Sequence, residues 1–321
     1  MFLRRLKPYA RGVSIYYRTV TCADVEIAYR EAGPLGAPVL LLLHGFPTSS
    51  HMFRNLIPLL SDRFHLVAPD YPGFGYSSTP SPGAFTYTFD HLADVMEAFV
   101  DAMGLKRYGL YLQDFGGPVG FRLACRRPEH VSSLVIQNAN AYTDGITDSL
   151  RDVVLRHHTE PTEESAAQIR SLFELPQTRR RFLDGEPDTA LVSPDSWQHA
   201  QWGMDRPGNK LIQFTLQADY GSNIVRYPEW HAYFRAYQPP AVVVWGRRDP
   251  VYALRGALAY GQDLKLVETH LLDAGHFALE THAAEIATLI REFYAPIMPT
   301  TITPPRARDR PTIARPVLPP F

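Results

Sequence analysis

The chain alternates between short runs dominated by apolar residues and longer stretches whose apolar residues recur every three or four positions. Val39–Leu43, Phe64–Ala68, Tyr108–Leu112, Val131–Ile136 and Ala241–Trp245 are runs of the first kind. Their length and continuity predict strands covered on both faces, as in a parallel sheet. Val25–Tyr29 alternates instead and predicts an early antiparallel strand, and a last strand is expected within Leu264–Leu272. His51–Leu60 predicts a short helix and Ala283–Tyr294 a closing one. Over Phe89–Met103 the apolar residues Leu92, Val95, Met96, Phe99 and Met103 share one helical face. Strands alternating with helices predict an α/β fold: a mostly parallel central sheet with helices on both faces.

From about Tyr142 to Arg226 the pattern changes. This stretch is rich in charge and helix formers and has no strong strand run; Glu163–Arg170 reads as helix and Pro194–Trp197 as a helix start. It predicts a helical cap inserted after the sixth strand. The chain then divides into an N-terminal arm (1–24), a first core part (25–141), the cap (142–226), a second core part (227–295) and a tail (296–321). The tail holds eight of the 28 prolines, with Arg306, Arg308, Arg310 and Arg315 against the single acid Asp309, and is expected to be extended or disordered.

Composition narrows the function. At 321 residues and 45% hydrophobic the chain can build a sizeable core. A net charge of -1 offers no electrostatic case for nucleic acid. Two cysteines, Cys22 and Cys125, make neither a disulfide framework nor a metal site. No spaced His/Cys ligand set and no phosphate-cradling loop is present, so no cofactor or metal is predicted. No apolar run reaches the roughly eighteen residues of a membrane span. The start, Met1–Lys7, is charged but lacks the apolar stretch of a secretory signal. A cytoplasmic location is expected, and the absence of acids before Asp24 leaves an organelle-targeting reading open. Oligomeric state is not readable.

The candidate chemistry sits at strand ends. After Tyr108–Leu112 come Gln113-Asp114-Phe115-Gly116-Gly117 and then helix-spaced apolar residues from Pro118 to Cys125. A strand turning sharply into a helix through a glycine pair is a nucleophile elbow, which lifts one side chain above the sheet edge. The helix N-terminus beneath it favours negative charge. The lifted residue is Asp114. A carboxylate there suits opening a strained ring or displacing a leaving group at an sp3 carbon; the other reading is a helix cap. Asp249 follows one later strand, in Gly246-Arg247-Arg248-Asp249-Pro250. His276 follows the last, in Asp273-Ala274-Gly275-His276-Phe277. The order Asp114, Asp249, His276 is nucleophile, acid, base. The loop His44-Gly45-Phe46-Pro47 closes a central strand at its carboxyl end, where α/β sheets carry their chemistry. Its N–H groups suit an oxyanion, and a plain turn is the alternative.

These motifs, with Asp70-Tyr71-Pro72-Gly73-Phe74-Gly75 and Trp245-Gly246-Arg247-Arg248-Asp249, resemble the α/β-hydrolase fold family over Val25–Tyr294. Its aspartate-nucleophile members, the epoxide hydrolases and haloalkane dehalogenases, are the nearest match, the epoxide hydrolases most of all. One departure is Leu112, where many members have a smaller residue. The resemblance implies an alkyl ester formed on Asp114 and cleaved by water that His276 activates, oriented by Asp249. It also implies an oxyanion hole from the N–H groups of Phe46 and Phe115.

The resemblance bears on the leaving group as well. Haloalkane dehalogenases typically hold the halide with a Trp after the nucleophile and a second Trp or an Asn. Here those positions are Phe115 and Phe46, which have no side-chain donor; Trp197 and Trp202 are replacements or lid packing. Fluoroacetate dehalogenases clamp a carboxylate with two Arg at positions that are Phe115 and Pro118 here, so a small anionic haloacid has no such clamp. Epoxide hydrolases protonate the ring oxygen from the lid, with two Tyr or with Tyr and His. Tyr220 precedes Asp249 by 29 residues, and His157 and His158 follow Asp114 by 43 and 44, which matches the His/Tyr pattern. The bland readings are a packing aromatic and a solvated helix face. Hydrolysis of an epoxide to a vicinal diol is therefore implied. Haloalkane dehalogenation is the first alternative and a hydrolase-fold ligand receptor the second. Phe46, Phe115, Phe173, Trp197 and Trp202 suggest a small hydrophobic substrate.

Overall fold

The computed structural model describes residues 13–297; residues 1–12, and the part of the Pro/Arg-rich tail from 298 onward, lie outside the described residues. Eight strands form one sheet: β1 (Ile15–Cys22), β2 (Val25–Ala32), β3 (Val39–Leu43), β4 (His65–Pro69), β5 (Tyr108–Gln113), β6 (Val131–Gln137), β7 (Ala241–Gly246) and β8 (Val267–Leu272). Their order is β1-β2-β4-β3-β5-β6-β7-β8. Strand β2 runs antiparallel to both its neighbours, and every other pairing is parallel.

Strand β1 lies within the stretch, 1–24, that the sequence assigns to an N-terminal arm rather than to the sheet. Ile15-Tyr16-Tyr17-Arg18-Thr19-Val20-Thr21-Cys22 pairs with β2 along its whole length, from Ile15 opposite Ala32 to Cys22 opposite Val25. It has no apolar run because it is an edge strand partly open on both faces: the neighbouring Tyr16 and Tyr17 are both exposed, and Arg18 stacks over Tyr16. β-branched and aromatic residues suit such a half-covered edge without marking it as core.

The central strands feed two cores. On one face Leu41, Leu43, Leu110, Leu112, Leu134, Ile136, Val243 and Trp245 join one buried cluster. On the other, Leu40, Leu42, Tyr111, Val135, Val242 and Val244 join the second. Alternation of side chains along each strand, with both faces covered, explains why the runs are apolar at nearly every position. Helices α1 (Phe89–Ala102) and α2 (Gly116–Arg126) cover the first face.

Between β6 and β7 the described backbone is helical or irregular. Four helices there matter for the site: α3 (Leu175–Leu183), α4 (Pro194–Met204), α5 (Asn209–Asp219) and α6 (Tyr227–Tyr237). Helix α6 packs on the sheet layer, with Trp230 and Phe234 ring centroids 5.2 and 5.4 Å from that of Phe121 on α2. Helix α7 (Ala283–Tyr294) closes the second face. Among the described residues no helix is long and apolar enough to cross a membrane.

Candidate active site

Strand β5 ends at Gln113, and the next residue, Asp114, has φ +49°. This left-handed backbone costs a non-glycine residue roughly 1–3 kcal/mol, held in place by its surroundings. The surroundings are tight. A Cβ at Gly116 would run into the Leu43 carbonyl oxygen, and one at Gly45 into Asp114 itself. The bulk of Leu112 is taken up by Gly120, where a Cβ would collide with the Leu112 side chain.

The Asp114 carboxylate is buried. Its Oδ1 accepts the Phe46 N–H at 2.7 Å and its Oδ2 the Tyr252 hydroxyl at 3.1 Å. His276 Nε2 stands 3.5 Å from Oδ2. Of the two expected oxyanion donors, Phe46 N–H alone reaches the carboxylate; Phe115 caps the N-terminus of α2.

His276 Nδ1 lies 2.8 Å from Asp249 Oδ2. That same oxygen accepts from Asn138 Nδ2 at 2.7 Å, and Asp249 Oδ1 accepts the Val251 N–H at 2.7 Å. The acid is thus held from both sides. Burial opposes a charge on His276, but the carboxylates of Asp249 and Asp114 outweigh it and raise its pKa to about 9. Burial likewise pushes the Asp114 carboxyl up. The His276 imidazole, the Arg181 guanidinium and the Phe46 N–H outweigh that, leaving it below the ordinary range. The Gln113 amide nitrogen is 3.0 Å from His276 Nε2, while its Oε1 is buried without a partner. An imidazolium Nε2 donates, so with His276 charged the amide turns its oxygen to the ring.

Asp114 opens into a cavity of about 90 Å³. Phe46, Phe115, Leu150, Val153, Val154, Leu172 and Val251 line it with apolar surface, and Arg181, Gln217, Tyr220 and Tyr252 add polar groups. Ser149 and Pro250, both exposed, form its rim. Tyr220 follows α5 and places its hydroxyl 2.8 Å from that of Tyr252. Burial raises both phenols well above the ordinary value, and the Asp114 carboxylate adds to it, so both stay protonated.

Several expected residues lie elsewhere. His157 is buried with Nδ1 2.7 Å from Ser165 Oγ, against Phe214. His158 is exposed, its Nδ1 2.7 Å from the Ala218 carbonyl. Neither lines the cavity. The helical segment is the right one, since Leu150, Val153 and Val154 do line it. A wide π-type turn over Arg151–Leu155 then rotates the following residues off that face. Trp197 is buried in the second core cluster, away from the cavity and under Arg179. Trp202 is 47% exposed and leans on Tyr76 and His199. Both ride on α4, which packs against the Ser50–Phe53 turn rather than over Asp114. Phe173 sits behind Phe46, centroids 5.9 Å apart, outside the lining.

Conversely, Tyr252, Gln113, Asn138 and Arg181 were not singled out by sequence reasoning. Tyr252 had a signal: it is the third residue after Asp249, in a loop leaving a central strand. Arg181 had none, because Arg179-Arg180-Arg181 reads as a solvated charge run.

The insertion is tied to the loop carrying His276. Gly185, at φ +88°, lets the backbone approach Arg248 and Gly275 closely. Next to it Glu186 accepts the Gly275 N–H at 2.8 Å and the Thr281 hydroxyl at 3.0 Å. Among the described residues no group of three or more His, Cys, Asp or Glu is arranged to hold a metal ion. The assembled chemistry is a buried carboxylate aimed into a small cavity, an imidazole backed by a second carboxylate, and two phenolic donors. It suits attack on carbon followed by hydrolysis.

Comparison with known proteins agrees with this architecture. Residues 38–283 match the model of the alpha/beta hydrolase fold family. An uncharacterized hydrolase of Saccharomyces cerevisiae is 38% identical over 275 residues, covering 84% of this chain and 94% of its own. A haloalkane dehalogenase of Bradyrhizobium diazoefficiens is 37% identical over 190 residues, 59% of this chain and 56% of its own. Among solved structures, haloalkane dehalogenase DbeA of Bradyrhizobium elkani superposes with a TM-score of 0.71 at 25% identity, over 89% of this chain and 98% of its own. The epoxide hydrolase CorEH shares the fold at TM-score 0.73 and 21% identity, over 89% of this chain and 100% of its own. With its sheet order, its elbow and these matches in agreement, the chain belongs to the alpha/beta hydrolase fold family.

Proposed function

We propose that the protein hydrolyses a small epoxide to a vicinal diol through an ester on Asp114. The observation that carries this reading is the Tyr220–Tyr252 hydroxyl pair, 2.8 Å apart and in contact with Asp114 through Tyr252. A ring oxygen becoming an alkoxide needs such a donor. The Asp114 carboxylate attacks a ring carbon as the carbon–oxygen bond breaks. The ring oxygen takes a phenolic proton, which the His276 imidazolium replaces. Neutral His276 then draws a proton from water as that water adds to the Asp114 carboxyl carbon, with the Phe46 N–H facing the developing oxyanion. Collapse releases the diol and returns the carboxylate and the imidazolium.

A haloalkane dehalogenase is the second reading. It is favoured by the dehalogenase relatives and by the side-chain N–H groups of Arg181 and Gln217 in the cavity. It is opposed by the absence of Trp and Asn from the lining. Assaying small epoxides and small haloalkanes for diol and for halide separates the two. Diol from the epoxides without halide from the haloalkanes is expected; halide release without diol overturns the epoxide reading.

A further inference from the structure

Arg181 projects from α3 into the cavity that holds Asp114. Its guanidinium carbon stands 4.9 Å from the Phe46 ring centroid. Among the described residues no carboxylate lies within ion-pair distance of it and no group accepts its hydrogen bonds. Several other arginines of the insertion are paired, Arg170 with Glu163, Arg180 with Asp184 and Arg226 with Asp90 and Glu229; among the described residues Arg179 and Arg206 have no acidic partner, but neither lines the cavity. Its nitrogens are not fully buried, unlike Arg122 Nη2 and Arg206 Nε and Nη2. A fork of five donors with no protein acceptor, facing a largely apolar cavity, is free to bind an acceptor that enters it.

Asp114 is the carboxylate that acts on Arg181 most strongly. Esterification removes that charge. From then until the ester is hydrolysed, the guanidinium faces the cavity without its main counter-charge, unless the bound molecule brings one. The cavity is also small. At about 90 Å³ it is well below the roughly 150 Å³ of an engineered cavity that binds benzene. A molecule touching both Asp114 and Arg181 therefore carries its anionic group close to its reactive carbon.

We propose that Arg181 selects substrates bearing a carboxylate next to the reactive ring, namely short 2,3-epoxy acids, with the carboxylate paired to the guanidinium and the product a 2,3-dihydroxy acid. This rests on the epoxide reading for the chemistry, but the recognition of the acid is separable from it. It also replaces the expectation that an anionic substrate has no clamp: positions 115 and 118 lack one, and residue 181 supplies a cation from the insertion instead. A planar fork matches a carboxylate bidentately.

The test compares oxirane-2-carboxylate with oxirane-2-carboxamide, which has nearly the same shape without the charge. In the wild type the acid-to-amide ratio of kcat/KM is expected at about tenfold or more. Arg181→Gln collapses the ratio by a similar factor, and Arg181→Lys restores part of it. A ratio near one in the wild type, or one that Arg181→Gln leaves unchanged, overturns the proposal. A non-reacting pair, propionate and propionamide, is measured alongside by calorimetry. Propionate bound by the wild type and lost in Arg181→Gln supports acid recognition even if no epoxide is opened, in which case the epoxide reading alone falls. Turnover of neutral epoxides without propionate binding removes acid recognition and leaves epoxide hydrolysis standing.

Discussion

His276 carries its proton at neutral pH because two carboxylates share its ring, one on each side. Replacing Asp114 by Asn removes one of them without removing the atoms. The imidazole pKa is then expected to fall from about 9 toward its ordinary value, as read by NMR titration of nitrogen-labelled histidine. An unchanged titration would mean that Asp249 alone sets the charge. The raised value also fixes a stability trend. The imidazolium contributes fully below pH about 6.5 and its contribution is lost as pH rises through about 9. At this scale the sequence was partly legible. Asp114, Asp249 and His276 could be found because each follows an expected strand, in the first two cases an apolar run, and the structure brings them together. Gln113, Asn138 and Tyr252 could not be ranked, since their importance lies in which atom they face across the fold. Asn138 does nothing visible in sequence, yet its amide holds Asp249 at 2.7 Å.

The elbow is an element in which spacing and sterics coincide. Gly116 begins α2 so close to β3 that any side chain there meets the Leu43 carbonyl, a backbone atom with no room to retreat. Gly116→Ala is therefore expected to cost about 1–3 kcal/mol in urea unfolding, with activity lost as the turn shifts; a neutral effect would show that α2 can slide. Strands β3, β5 and β7 were legible because burial on both faces leaves almost no polar position. Strand β1 was not, because both of its faces are partly open and admit Tyr16 and Arg18 on one side and Tyr17 on the other. The segment after Thr147 shows a different limit. Its helical character was expected from composition and its approach to the cavity from the family resemblance. The single wide turn at Arg151–Leu155, which decides that valines rather than histidines face Asp114, leaves no mark in the sequence.

At the scale of the molecule, the sheet layer holds Asp114, Asp249, His276 and Tyr252, and the insertion holds Arg181 and Tyr220. The two are joined at Glu186, whose carboxylate grips the backbone beside His276. Glu186→Ala is expected to lower kcat about tenfold, more than it changes KM, by letting the imidazole drift. It should also cost about 1–3 kcal/mol of stability through the orphaned Gly275 N–H. Steady-state kinetics and chemical denaturation read the two effects separately. A change in KM alone would mean that Glu186 shapes the cavity but not the loop. This latch has a consequence for molecular traffic. Lifting the insertion on the Glu186 side would dislocate the very loop that carries the base, so that flank must stay shut throughout a turnover. The doorway belongs at the exposed rim by Ser149 and Pro250, and an arriving molecule meets a greasy threshold of leucine and valine before it reaches the cation on the fixed wall.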